Sequence, residues 1–197
     1  SSFIVGLSVK VTYPVAMIRR FLFATVLIVT MPAQADQNDP RLDTLFGHLQ
    51  RTTSQSEATG YTDQIWRIWT QHGDPELNEQ MTIGQAAMSM NRLVTALGVF
   101  STIINADPGF AEGWNKRATV YYLMGKVPES LEDVEHTLAL EPRHFGALSG
   151  RGLLYIETGD YSLAIQAFEE ALAVNPFLPS LERRINQLKS IIGESEI

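Results

Sequence analysis

The chain has 197 residues, of which 45% are hydrophobic, 19% are charged and none is cysteine. This length suffices for one domain or a short repeat array, and the lack of cysteine excludes disulfides, cysteine-ligated metals and cysteine nucleophiles. The formal net charge of −7 argues against a nucleic-acid partner, because phosphate contacts need surplus positive charge.

The charge is distributed unevenly along the chain. The first 35 residues contain three bases and no acid, whereas residues 36–197 contain 12 bases and 22 acids, a net charge of −10. The composition therefore predicts a basic, apolar leader followed by an acidic body. Residues 1–16 precede a more suitable start at Met17 and are expected to be an upstream extension rather than part of the fold.

Residues 17–35 have the three parts of a secretion signal. Two arginines open the segment, an eleven-residue apolar run follows at 21–31, and Ala33-Gln34-Ala35 is a small-residue cleavage motif. We expect cleavage after Ala35 and an exported, periplasmic or secreted protein. The apolar run is about half of the roughly 20 residues that span a bilayer, so a leader helix retained in the membrane is the alternative.

Residues 36–76 are predicted to form a degenerate N-terminal pair of helices. Apolar side chains at helical spacing mark its two parts, and they are Leu42, Leu45, Phe46 and Leu49, then Ile65, Trp66, Ile68 and Trp69. We expect the two tryptophans to pack under this N-terminal unit rather than to hold a ligand.

The rest of the body repeats with a period of 34 residues. Prolines recur at 108, 142 and 176, small residues recur at Gly84, Ala118 and Gly152, and Asn91 aligns with Gly125 and Gly159. Each unit contains two apolar stretches of helical spacing separated by that turn and ended by the proline. The small residues are expected where the two helices of a unit cross closely.

These residues resemble the tetratricopeptide repeat (TPR) family. Residues 111–144 and 145–178 match its pattern well, and residues 77–110 match it more poorly. Residues 179–197 are predicted to form a capping helix and tail. The resemblance implies an all-α fold, a right-handed α-solenoid of helix-turn-helix repeats whose terminal helix covers the last unit. It also implies a protein-interaction module with a concave groove for a peptide or protein.

The resemblance assigns the first helix of each unit to the groove. The groove candidates carried over by register are Asn78, Met81, Gln85, Met88, Glu112, Asn115, Thr119, Tyr122, Gly146, Ser149, Leu153 and Ile156. The lysine and asparagine clamp by which this family grips a C-terminal carboxylate is absent. A groove of amides, hydroxyls and apolar side chains suits an extended or helical peptide more than a phosphate.

Two arginines depart from the family pattern. Arg117 and Arg151 stand where a leucine is usually buried, whereas Ile83 follows the pattern. Because a buried charge needs a partner, we expect an internal network with nearby carboxylates, for which the candidates are Asp133, Glu135 and Glu141. In the alternative, the arginines reach the groove and, with Arg143 and His144, contact an anionic group of the partner.

The sequence contains little that indicates catalysis. The four histidines have no metal-ligand spacing, and no nucleophile motif or dinucleotide fingerprint is present. We therefore expect no metal, no cofactor and no enzymatic activity. The predicted function is that of an exported adaptor or assembly factor that binds a peptide or protein, and the alternative is a membrane-anchored assembly subunit, with membrane contact only through an uncleaved leader.

Overall fold

The computed structural model describes residues 36–195, so the predicted extension and leader lie outside the described residues. The described part is all-α, as predicted, and contains no strand. Its helices are α1 (Arg41–Arg51), α2 (Gln55–Trp69), α3 (Pro75–Ser89), α4 (Leu93–Ala106), α5 (Ala111–Leu123), α6 (Val127–Leu140), α7 (Phe145–Thr158), α8 (Tyr161–Val174) and α9 (Pro179–Ser195). Within this range, no helix is long and apolar enough to cross a bilayer.

Three repeat units share the same turn between their helices. Asn91, Gly125 and Gly159 join α3 to α4, α5 to α6 and α7 to α8, with φ angles of 55°, 70° and 81°. This left-handed conformation ends a helix by satisfying its last carbonyl groups and is easiest for glycine. The amide that follows each turn residue donates to a carbonyl five residues earlier, at 2.8–2.9 Å. The repeat period of 34 residues therefore places the same left-handed turn in each of the three units.

The small residues at the helix crossings face large partners in the second helix of the same unit. A methyl group on Gly84 would lie 2.6 Å from ring atoms of Phe100, and one on Gly152 would collide with Phe168. In the middle unit Ala118 packs in one core with Val134 instead. At each crossing, a larger side chain in the second helix is therefore matched by a smaller residue in the first helix.

The last helix covers the end of the array, as predicted for a capping helix. One side of α9 buries Leu181, Ile185 and Leu188 in the same core as Phe168 of α8. Burial of such side chains contributes roughly 1.5–3 kcal/mol each. The outward side of α9 keeps Arg183 and Arg184 exposed.

The N-terminal hairpin, which we define as α1 and α2, does form a pair of helices but lies in an unexpected place. A stacked fourth unit would contact α3, whereas among the described helices α1 and α2 contact chiefly each other. Their side chains, together with Gln37 just before α1, reach the turns that separate the units, at 107–110, 141–144 and 175–178. We call these three segments the inter-unit turns.

Polar contacts attach the N-terminal segment to every inter-unit turn. Gln37 donates to the Gly109 carbonyl at 2.5 Å, and Asp43 pairs with Arg143 at 2.7 Å. At the far end Gln50 donates to the Ala173 carbonyl at 2.9 Å, just before the third turn, and Asn175 in that turn donates to the Thr62 hydroxyl of α2 at 3.3 Å. The hairpin therefore runs along one edge of the array and crosses all three units.

Candidate partner-binding groove

The middle of the groove predicted from the sequence is a single cleft between α5 and α7. It has a volume of about 190 Å³, and we call it the central cleft. Six groove candidates line it, namely Asn115, Thr119, Tyr122, Gly146, Ser149 and Leu153. The described residues that line it carry no charge, which agrees with the mixed polar and apolar groove expected from the sequence.

Three polar side chains of the central cleft donate hydrogen bonds within the protein. The Thr119 hydroxyl donates to the Asn115 carbonyl at 2.9 Å, and the Ser149 hydroxyl donates to the Phe145 carbonyl at 2.6 Å. The Asn115 amide nitrogen donates to a carboxylate oxygen of Glu112 at 2.8 Å. The lone pairs of the two hydroxyl oxygens and of the Asn115 amide oxygen are thereby left as acceptors.

The candidates on α3 lie in a different cleft. Asn78, Met81 and Gln85 line a volume of about 420 Å³ together with Thr82 and residues 70–72, which follow α2. Asn78 donates to the His72 carbonyl at 2.7 Å, which ties the cleft wall to the hairpin. The structure thus divides the predicted groove into two.

Two further candidates line neither cleft. Met88 and Ile156 are half-buried and pack against the cores of the first and third units. Their side chains lie outside the described lining of both clefts. Their place in the groove stays a prediction from the repeat register.

The prediction that Glu112 contacts a partner is wrong. Its side chain is only 1% exposed, and its carboxylate pairs with the Lys116 ammonium at 2.9 Å. His144, predicted to contact an anionic group, is also fully buried. The ring Nε2 of His144 lies 3.0 Å from the Glu112 carboxylate, so both predicted contacts belong to one internal network.

The network keeps Glu112 ionised. Burial alone would raise the pKa of the Glu112 carboxyl, but the Lys116 charge and the His144 hydrogen bond outweigh it, and the pKa is lowered. The Ala147 amide donates to Nδ1 of His144 at 3.0 Å. Because Nδ1 accepts this bond, Nε2 carries the ring hydrogen and donates it to Glu112.

An aromatic cluster closes the groove at the N-terminal end of α7. The Trp66 ring lies against Gly146, where a methyl group would be 2.6 Å from its Cη2 atom. Trp69 stacks on His144 with ring centroids 4.2 Å apart, and Phe145 contacts both tryptophans edge-on or tilted. Trp69 packs in the core of the hairpin as expected, but Trp66 reaches across to α7, which the sequence did not predict.

Arg117 belongs to an internal ion pair. Its guanidinium donates two hydrogen bonds to Asp133 of α6, at 2.7 and 2.8 Å, and a third to Ser101 of α4 at 3.3 Å. The bond to Asp133 raises the pKa of Arg117. These partners lie on the second helices of two units, so Arg117 does not reach the groove.

The other arginines also find carboxylates within the chain. Arg151 pairs with Glu170 and, at 3.4 Å, with Glu135. Arg143 pairs with Glu141 at 3.0 Å, which raises the pKa of Arg143, and also holds Asp43 of α1. These ion pairs agree with the expected internal network. They do not agree with the alternative, in which the arginines and His144 contact an anionic group of the partner.

The described residues contain no group of three or more histidine, aspartate or glutamate side chains that could hold a metal ion. In the described range, the buried pair of Glu112 and His144 has Trp69 stacked on the histidine ring and Trp66 edge-on to it. The clefts are lined by hydrogen-bonding and apolar side chains.

The chain belongs to the tetratricopeptide repeat family. It is 34% identical over 148 residues to a TPR repeat-containing protein of Rhizobium etli, an alignment that covers 75% of this chain and 72% of that protein. A family model described as tetratricopeptide repeat matches residues 146–178. TPR units are protein-interaction modules, and the helical pairs and turns above have that architecture.

Solved structures share the fold at low sequence identity. The Sgt2 TPR domain from Aspergillus fumigatus has a TM-score of 0.58 and 23% identity, over 62% of this chain and 83% of that domain. The second TPR domain of human RPAP3, solved in complex with the HSP70 peptide SGPTIEEVD, has a TM-score of 0.53 and 22% identity, over 56% of this chain and 92% of that domain.

Proposed function

We propose that this protein is a non-enzymatic adaptor or assembly factor that binds a segment of a partner protein in the central cleft. The observation that carries the proposal is the convergence of α5 and α7 side chains on one cleft that no internal side chain fills. A similar TPR domain, that of RPAP3, was solved with a peptide. The acidic peptide of that complex is not transferred to this chain, whose central cleft lacks lysine and arginine.

Partner capture tests this proposal. Asn115→Ala, Thr119→Ala and Tyr122→Ala combined in one chain should abolish capture of the partner from an envelope extract, with Tyr122 contributing most as a rigid aromatic anchor. The control carries Glu135→Ala and Glu169→Ala on α6 and α8, away from the cleft. Loss of capture in the control, with capture retained by the triple variant, would overturn the groove assignment.

The site of action is part of the same proposal. The pattern at residues 17–35 supports export with cleavage after Ala35, and the absence of cysteine suits an oxidising compartment. Sequencing the N-terminus of the protein purified from its own host should give Asp36. A chain that retains the apolar run at 21–31 and stays with the membrane would instead support the anchored assembly subunit.

A further inference from the structure

We propose that the central cleft selects a basic side chain of its partner, arginine above all, and rejects acidic ones. This inference rests on the function proposed above and specifies the chemistry of the segment that is bound. It follows from which hydrogen-bonding atoms of the cleft are already used and which are left over.

Asn115 supplies the fixed acceptor. The residue is only 7% exposed, and its amide nitrogen is held by the Glu112 carboxylate at 2.8 Å. A carboxylate only accepts hydrogen bonds, so the amide cannot turn around without placing oxygen against oxygen. The Asn115 Oδ1 atom therefore points away from Glu112, and it has no hydrogen-bond partner among the described residues.

Two hydroxyl groups add acceptors at the same cleft. Thr119 and Ser149 each give their hydrogen to the carbonyl four residues earlier on their own helix. A hydroxyl that has donated its hydrogen presents only lone pairs to a ligand. The cleft thus combines three acceptor oxygens from α5 and α7 with the apolar surfaces of Tyr122 and Leu153.

This arrangement matches an arginine side chain. Its guanidinium has five donors and no acceptor, its methylene groups can pack on Leu153, and its charge is attracted to the face of Tyr122. The volume of about 190 Å³ is below that of a typical small-molecule pocket and suits one inserted side chain. The net charge of −10 on residues 36–197 further favours a basic partner. A carboxylate would meet the lone pairs of these three acceptor oxygens, which it cannot pair with.

Three peptides test the inference. They share one uncharged sequence, with blocked ends, and differ at a single central position that holds arginine, leucine or glutamate. Isothermal titration calorimetry with the chain 36–197 should give the arginine peptide an affinity at least about tenfold above that of the leucine peptide, with the glutamate peptide weakest. The advantage of arginine should shrink as salt is raised.

Thr119→Val with Ser149→Ala removes two acceptors without removing a bond between helices. This variant should lose most of the arginine preference, measured as the ratio of the affinities for the arginine and leucine peptides. Thr102→Val is the matched control, because the Thr102 hydroxyl makes the same bond to its own helix, 3.1 Å to Gly98, outside the groove. The control should bind all three peptides as the original chain does.

The outcomes separate this inference from the proposed function. Equal affinity for the arginine and leucine peptides, or tighter binding of the glutamate peptide, would overturn the selection of basic side chains. If no peptide bound while the triple variant still lost partner capture, the selection of basic side chains would be overturned and the proposed binding function of the central cleft would be retained. If the triple variant also kept partner capture, both proposals would be overturned.

Discussion

Two aligned arginines occupy different environments in successive units. The carboxylate of Asp133, which pairs with Arg117, is 3% exposed, whereas Glu135 and Glu170, which pair with Arg151, are 53% and 40% exposed. Loss of a partner leaves a buried carboxylate uncompensated in the first case and a hydrated one in the second. The same substitution should therefore have unequal effects at the two positions.

Arg117→Leu should lower the free energy of unfolding by about 3 kcal/mol, because it leaves the buried Asp133 carboxylate without its charged partner. Arg151→Leu should cost under about 1 kcal/mol, as exposed pairs do. Urea denaturation followed by circular dichroism measures both. Adding Asp133→Ala, which copies Ala167 of the next unit, should restore much of the stability of the first variant. Equal costs at the two positions would contradict this account.

Glu112 should make stability depend on pH in the acid range. Its pKa is lowered in the folded protein from an ordinary value of 4.5, so its contribution is fully present above about pH 4.5 and is lost as pH falls through the folded value. The melting temperature of the original chain should therefore decline below pH 4.5.

Glu112→Gln tests the assignment. The variant should be less stable at pH 7, where Lys116 loses its partner, and its melting temperature should fall less steeply below pH 4.5. Glu79→Gln, at an exposed position on α3, controls for the loss of one negative charge. Parallel pH profiles for the original chain and Glu112→Gln would show that this carboxylate does not govern the acid response.

At the scale of helices, the crossing inside each unit depends on a matched pair of side chains. Gly152→Ala places a methyl group into the Phe168 ring and should cost about 1–3 kcal/mol of stability by overpacking. Adding Phe168→Val copies the Ala118 and Val134 pair of the middle unit and should cost less than the two single changes together. Thermal melts of the four chains measure the coupling, and strictly additive effects would contradict it.

The periodicity of the sequence predicted the helices and turns better than it predicted where the N-terminal hairpin lies. The turns at Gly125 and Gly159 and the crossings at Gly84 and Gly152 follow from local rules, because a left-handed turn and a close approach both favour glycine. The N-terminal hairpin was visible as helices, but its position depends on contacts with residues about 100 positions away, such as Asp43 with Arg143. No local pattern contains that information.

In the candidate site, too, local features were predicted from the sequence and features set by distant contacts were not. Asn115, Thr119 and Tyr122 were identified correctly as neighbours in one cleft because they lie three or four residues apart on one helix. The burial of Glu112 and His144 was missed because His144 packs against Trp66 and Trp69 of the distant hairpin and Glu112 is bonded to His144. The glycine at 146, which leaves room for the Trp66 ring, was the available signal.

At the scale of the whole molecule, the hairpin joins the three units along one edge. Each unit of a plain solenoid contacts only its neighbours, whereas here α1 and α2 contact the second and third inter-unit turns and Gln37, just before α1, contacts the first. Residues 37–62 therefore link all three units. The Trp66 ring of the hairpin also lies against Gly146 of the groove helix α7.

Gly146→Ala should displace the hairpin without changing its own sequence. The added methyl group would lie 2.6 Å from Trp66, so we expect a loss of about 1–3 kcal/mol and a red shift of tryptophan fluorescence as the ring gains contact with water. Gly150→Ala on the same helix is the control, because its methyl group would meet no atom within 4 Å. Identical spectra for both variants would contradict the close contact.

The placement of the hairpin also determines the order in which the chain can fold. Gln50 bonds to residue 173 and Thr62 to Asn175, pairs separated by 123 and 113 positions in the sequence. Such distant pairs raise the contact order above that of a simple solenoid and slow the last folding step. Because α1 and α2 are synthesised before the last repeat unit, they can dock on it only after that unit has been made.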